Sequence, residues 1–364
     1  MTLLYKLIGI CILVASIIAG WFWQSYSAYQ DVPTGFAGGD KTFIIKSGAA
    51  ISTVVNQLIS DGIIDDRSRF MWMVKHNDKA RNIQVGEYII SPTMSPKQIL
   101  NNFIQGKVIQ NAFTIVEGWN FKQLLVALSA NEKISHTLKG KSAEEIMTAL
   151  GYKGEHPEGR FLPDTYHFPT GLSDKAFLKR AYQSMTKVLD AQWKKRMKDL
   201  PFETPYEALI LASIVEKETG VARERKEIAG VFVRRLEKRM RLQTDPTVIY
   251  GLGDKFNGNL RKKHLKQDNP YNTYRRKGLP PTPIALPGEA AIEAALNPTD
   301  GEALYFVAKG DGSHQFSATV DEHNKAVRKY QLRGRKKDYR SAPPPKSAPG
   351  SNAAQSASTP RVNP

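Results

Sequence analysis

Residues 204–220 read TPYEALILASIVEKETG, and the reading of this stretch decides the fold around it. Thr204 with Glu207 three residues later forms a capping box, Pro205 takes the first helical position, and Gly220 follows the last turn. The pattern predicts a helix over 205–219. At ~100° per residue, with Val215 set at zero, Ala208, Leu211 and Ala212 fall within about 60° of it and Glu218 near −60°. Glu218 is therefore expected on the apolar face. Glu216 falls at roughly +100°, at the edge of the stripe, and Lys217 on the opposite side.

A carboxylate on an apolar face costs several kcal/mol unless it is paired, hydrogen-bonded or protonated. Three readings of Glu218 stand at this level: a buried ion pair with an arginine, a metal ligand, or a catalytic acid whose pKa is raised by burial. No HExxH or His/Asp cluster accompanies it in the sequence. Ordinary glycoside hydrolysis needs two carboxyls about 5 to 9.5 Å apart across the bond. Glu216 cannot supply the second, because it diverges from Glu218 by roughly 160° around the helix. A reaction whose nucleophile belongs to the substrate needs only one glutamate, which gives a proton to the leaving oxygen and takes one back from an internal hydroxyl.

Working outward, residues 174–196 read as a long amphipathic helix with Phe177, Leu178, Ala181, Met185 and Leu189 inward. In TIVEGWNFKQLL, from Thr114, a strand meets Asn120 as a helix cap. Further upstream, FIIKSGAAISTVVNQLISDGII, from Phe43, gives a short strand and then apolar residues at 51, 54, 55, 58 and 59, a helix spacing ended by Gly62. A second helix from about Asp66, a strand at VGEYII and a helix begun by Ser95-Pro96 complete a β-α-α-β-type unit. The run FIIKSGAAISTVVNQL resembles the start of a LysM-like glycan-binding module. The fold class expected is α+β: an N-terminal transmembrane helix, a small LysM-like module, then a larger α+β catalytic domain. The expected boundaries are 1–30 for anchor and stalk start, 31–115 for the module, 116–332 for the catalytic domain and 333–364 for a disordered tail.

The anchor rests on LIGICILVASIIAGWFW, from Leu7, an uncharged run long enough for an uncleaved span with Trp21 and Trp23 at the interface. Lys6 on the short leading side places the rest across the membrane. PTGFAGG, from Pro33, reads as a flexible stalk. From Arg333 onward, seven Lys/Arg stand against one Asp in a Pro/Ser/Ala-rich tail that cannot repay its ordering entropy.

Composition narrows the partners. Of 364 residues, 41% are hydrophobic and 24% charged, which fits neither wholesale disorder nor a multispan membrane protein. The net charge of +17 points to a polyanionic neighbour: nucleic acid, anionic lipid or an acidic wall polymer. No nucleic-acid reading module is present in the sequence, and a nucleic-acid binder would lie on the other side of the membrane. Cys11, the one cysteine, sits within the apolar run, so no disulfide forms within the chain.

Five ordered blocks together resemble the endolytic murein transglycosylase family: EGRFLPDTYHF (158–168), ASIVEKETG (212–220), QTDPTVIYGLG (243–253), NPYNTYRRKGLPPTPIALPG (269–288) and FVAKGDGSHQFSATVDEHN (306–324). The resemblance implies a membrane-anchored lytic transglycosylase. It would cut nascent peptidoglycan between N-acetylmuramic acid and N-acetylglucosamine and leave 1,6-anhydro ends. It implies Glu218 as the catalytic residue, no cofactor and no metal, an inner-membrane location with the catalytic domain in the periplasm, and membrane-bound glycan polymerases as neighbours. Gln243, Thr244 and Asp245 read as a sugar-binding loop, or Asp245 as the cap of the following turn. Tyr271, Asn272 and Thr273 combine an aromatic face with polar groups, a composition suited to sugar stacking and equally found in cores. His314 and His323 read as supports, not catalysts. The rival class is a noncatalytic, membrane-anchored peptidoglycan-binding scaffold, which has no use for a buried Glu218.

Overall fold

A computed structural model of the chain describes residues 2–46, 48–77 and 82–333. The tail expected over 333–364 lies outside the described residues, apart from the backbone of Arg333. The architecture is mixed α and β, in two compact units. One holds residues up to Ala112 with short returns at 132–135 and 167–172; the other holds 113–131, 136–166 and the chain from Ser173 onward.

The first unit begins with α1 (Thr2–Asp31), which is long and apolar enough to cross a membrane from Ile8. Strand β1 (Lys41–Ile45) is followed by α2 (Ile51–Ser60), α3 (Arg67–Lys75), strand β2 (Gly86–Ile90) and α4 (Pro96–Gln105). β1 and β2 pair antiparallel with Phe43 opposite Tyr88. Strand alternation turns Phe43, Ile45, Tyr88 and Ile90 inward and leaves Ile44 and Ile89 exposed. Val54, Val55 and Leu58 of α2 and Ile99, Leu100 and Phe103 of α4 cover that inner face. Each such side chain, fully buried, stabilises by ~1.5–3 kcal/mol. The Ser95–Gln98 capping box opens α4, and Gly106 at φ 63 closes it.

The segment 33–39 is not a free stalk. The Thr34 and Gly35 amides donate to the Met94 and Pro92 carbonyls, and Phe36 is buried in the unit's core. The expectation failed because the glycines that suggested flexibility supply a turn, with Gly35 at φ 60.

Next come strand β3 (Gln110–Thr114), α5 (Phe121–Ser129), strand β4 (Ile134–Ser135), α6 (Ala143–Leu150), and strands β5 (Thr165–Pro169) and β6 (Leu172–Ser173). The second unit continues with α7 (Asp174–Lys194), α8 (Pro205–Glu218), α9 (Arg225–Glu237), α10 (Asp245–Leu252), α11 (Lys262–Lys266), α12 (Glu289–Leu296), the antiparallel pair β7 (Tyr305–Ala308) and β8 (His314–Ser317), and α13 (Val320–Val327). α8 is the central helix, packed by α7, α9 and α12. The expected start is present: Thr204 accepts from the Glu207 amide, and the Glu207 carboxylate accepts from the Thr204 amide.

One part of the sequence argument needs correction. Every residue from Ala208 to Val215 is buried, so α8 has no polar face along its middle turns. Leu209, Ile210, Ser213 and Ile214, off the expected stripe, are as enclosed as those on it. Periodicity describes a helix lying on a core, whereas this helix runs through one.

Candidate active site

The last turn of α8 leaves the core, and Thr219 turns to extended backbone (φ −146, ψ 135) and ends the helix. That turn delivers Lys217 and Glu218 to the wall of a cleft of about 850 Å³. Around Glu218 and Lys217 the cleft is walled by Gly118 and Asn120 before α5, Glu158, the start of α10 at Asp245 and Pro246, Tyr250, and Ile284. Glu218 thus reaches the cleft through its place at a helix end, not through the helical face that sequence periodicity suggested.

Glu218 is partly exposed into the cleft, and its Oε1 accepts a hydrogen bond from the Thr244 hydroxyl. Thr244 is itself buried and fixed. Its amide donates to Thr273 Oγ1 at 3.1 Å, and its carbonyl accepts from Thr247 Oγ1 at 2.8 Å. Thr247 and Thr273 share a further hydrogen bond of 2.9 Å. Gln243, at φ 53, makes the left-handed bend that turns Thr244 toward Glu218, and its amide donates to the Thr273 carbonyl. Three hydroxyls and a strained bend therefore orient one carboxyl.

Desolvation pushes the Glu218 carboxyl up to about 7, with a further push from the Asp245 charge. The Thr244 hydrogen bond and the more distant Arg235 charge pull the other way without restoring its ordinary value. Arg235 does not clasp Glu218. Its guanidinium donates to the carbonyls of Leu304, Arg241 and Leu242. Asp245 in turn accepts from Tyr274 Oη at 2.6 Å, and burial with that carboxylate holds the Tyr274 phenol in its protonated form by raising its pKa. A carboxyl able to exist in either protonation state near neutrality, open to a cleft, has the properties of an acid that later acts as a base.

Glu216 points away from this network. Its Oε2 accepts from the Gly288 amide at 3.0 Å and its Oε1 lies 3.9 Å from the Arg225 guanidinium. It ties α8 to the proline-rich segment 279–288, which runs along the helix; Ile284 N donates to Ser213 Oγ at 3.0 Å. Lys217 is exposed and donates to the Gly118 carbonyl at 3.1 Å.

A second carboxyl, Glu158, was not singled out by the sequence. It is only 3% exposed yet lines the same cleft, accepting from the Phe121 amide at 3.0 Å and from Tyr250 Oη at 3.1 Å. Burial pushes it up to about 7, offset in part by these donors and the Lys217 charge. It joins the N-terminus of α5 to α10, so it fixes the wall that faces the end of α8. Its block, EGRFLPDTYHF, carries no periodic signal; only a glutamate between two bends, Pro157 and Gly159, marks the site.

The other sequence-derived residues take distinct places. Asp245 lines the cleft beside Glu218. Tyr271 packs edge-on against Tyr250 with ring centroids 4.9 Å apart and shares a hydrogen bond with Thr282. Asn272 is 1% exposed, and its amide donates to the carbonyls of His264, Leu265 and Gln267. Those bonds occupy the group that was expected to face a sugar. Thr273 is buried beneath Thr244. His314 donates or accepts at Nδ1 with Glu224 at 2.8 Å, a buried pair outside the cleft lining. Among the described residues no group of three or more His, Cys, Asp or Glu is placed to hold a metal ion.

Comparison with known proteins places these features in a lineage. The model of the YceG-like family matches residues 43–329. A protein of Bacillus subtilis (strain 168) named endolytic murein transglycosylase is 33% identical over 308 residues, 79% of this chain and 83% of that protein. Its namesake in Streptococcus pneumoniae serotype 2 (strain D39) is 26% identical over 318 residues, 78% of this chain and 57% of that protein. A yceG-like protein of Listeria monocytogenes, solved at 2.6 Å, is 32% identical with a TM-score of 0.49, over 79% of this chain and 98% of that one. With the family's model matching residues 43–329, well over half of its length, the chain belongs to the YceG-like family.

Proposed function

We propose that the cleft cleaves peptidoglycan glycan strands internally and without water, with Glu218 as the one catalytic acid and base. The protonated carboxyl gives its proton to the glycosidic oxygen between N-acetylmuramic acid and N-acetylglucosamine as the bond from C1 to that oxygen breaks. The muramyl C6 hydroxyl then bonds to C1, and its proton passes to Glu218, which ends the cycle as it began. One group serving both steps satisfies microscopic reversibility. The observation that carries this reading is a carboxyl oriented by Thr244, open to a cleft, and left unclasped by an arginine.

The apolar α1 supports a single-pass membrane anchor, with both units on the periplasmic side of the inner membrane. The first unit is read as a LysM-like module that holds the strand while the second cuts it; among its features β1 and α2 support this. A cutter of nascent strands works beside membrane-bound glycan polymerases, and such polymerases are its proposed neighbours.

The test is Glu218→Gln against purified glycan strands. The variant is expected to keep the wild-type circular dichroism spectrum and lose about 10²–10⁴-fold in cleavage rate, the range a general acid supplies. Undiminished cleavage removes Glu218 from the mechanism.

A further inference from the structure

The last turns of α1 do not hang free of the protein; they are packed onto α3. Tyr29 Oη donates to the Asp66 carbonyl at 3.2 Å, Arg69 donates to Ser25 Oγ at 3.0 Å, and the Trp72 ring meets Tyr26 edge-on at 4.2 Å and Phe22 at 6.1 Å. Moving forward along α3 thus means moving back along α1 toward the apolar run, so the two helices are antiparallel. Lys75, one turn past Trp72, lies roughly 4.5 Å further in that direction, about level with Trp21.

That level decides where α3 sits relative to lipid. The apolar run from Leu7 to Trp23, which the polar QSYSAYQ follows, is roughly 25 Å of helix, whereas a hydrocarbon core is about 30 Å thick. The span has no length to spare, so Trp21 and Trp23 must stand at its boundary. A basic helix end level with Trp21 is then inside the headgroup layer. Its composition suits that layer: Lys75 supplies a cation, and Trp72 stacks near His76 with centroids 4.0 Å apart, a cluster of the interfacial aromatic type.

We propose that α3 is a membrane-seating helix, its C-terminal end held among anionic phospholipid phosphates, which fixes the first unit at a set height and tilt on the bilayer. This rests on the reading of α1 as an anchor. In function, the seat confines the first unit to newly made strand emerging at the membrane surface.

Depth measurement tests it on the full chain in vesicles of phosphatidylcholine with phosphatidylglycerol. A fluorophore is placed at native Cys11, or at His76→Cys or Ser68→Cys in a Cys11→Ser background, and quenched by nitroxide-bearing lipids. Ser68 lies eight residues before His76, hence roughly 12 Å higher. Since a headgroup layer is only ~5–8 Å thick, quenching by headgroup nitroxides should be at least about threefold stronger at 76 than at 68. Adding Lys75→Glu to the His76→Cys chain, or leaving out phosphatidylglycerol, should lower quenching at 76. Equal quenching at 76 and 68, with Cys11 quenched by tail nitroxides, overturns the seat and leaves the anchor standing. An unquenched Cys11 overturns both. Quenching at 76 that ignores both Lys75→Glu and lipid charge overturns the phosphate ligand.

Discussion

Replacing Glu218 by glutamine should stabilise the second unit, and by an amount that grows with pH. In the fold, Glu218 ionises at about 7 instead of its ordinary 4.5, chiefly because it is desolvated. A raised carboxyl pKa means that ionisation is disfavoured in the folded state. The wild type therefore carries no penalty below the unfolded value, loses stability as pH rises from 4.5 through about 7, and stays penalised above that. At about 1.4 kcal/mol per pKa unit, the accumulated difference is about 3 kcal/mol. Glutamine never ionises, and its carbonyl can still accept from Thr244. The raised pKa of Glu158 is present in both proteins and cancels. The assay is thermal unfolding of the two full-length chains in detergent micelles from pH 4.5 to 9. At ~2–4 °C per kcal/mol, the gap in melting temperature should widen by about 6–12 °C over that range and then level off. A gap independent of pH, or one that narrows, refutes the reasoning that the cleft holds this carboxyl in a dry setting.

Cleavage should begin from protonated Glu218, so the rate should fall as pH rises through about 7. Thr244→Val removes the one hydroxyl that favours the ionised form, worth about 1.5–3 kcal/mol, and should move that falling limb upward by about 1–2 pH units, with Thr244→Ser restoring it; a limb that stays in place contradicts the assigned role. Glu216→Gln keeps an acceptor for the Gly288 amide but loses its charge beside Arg225. It should cost about 1–2 kcal/mol in urea unfolding while most of the cleavage rate survives at low temperature; equal loss at 216 and 218 sinks the division of labour. Glu158→Ala strips buried partners from the Phe121 amide and Tyr250 hydroxyl, and should destabilise by about 2–3 kcal/mol; an unchanged urea midpoint rejects Glu158 as the tie between α5 and α10.

Local chemistry was legible in the sequence. The Thr204 and Glu207 box with Pro205 gives the start of α8, and Asn120 and Ser95 give the starts of α5 and α4. What surrounds a helix was not. The all-round burial of Ala208–Val215 depends on α7, α9 and α12 arriving from elsewhere in the chain, so the apolar stripe that singled out Glu218 is not what brings it to the cleft. Thr244 was chosen as a sugar ligand, yet its hydroxyl is spent on Glu218 from 26 residues away. Asn272 looked like a sugar-facing amide because composition cannot tell a ligand's carbonyl from the protein's own. Glu158 escaped notice because its two partners, Phe121 and Tyr250, come from opposite sides of it in sequence, 37 and 92 residues away.

The central claim is that the sugar supplies its own nucleophile while Glu218 passes a proton each way. Mass spectrometry of the fragments released from purified glycan strands reads this out directly. Fragments ending in 1,6-anhydromuramic acid, each one water lighter than a hydrolysis product, are the predicted result. Reducing ends that take up oxygen from labelled water would contradict it and require a second carboxyl to activate that water.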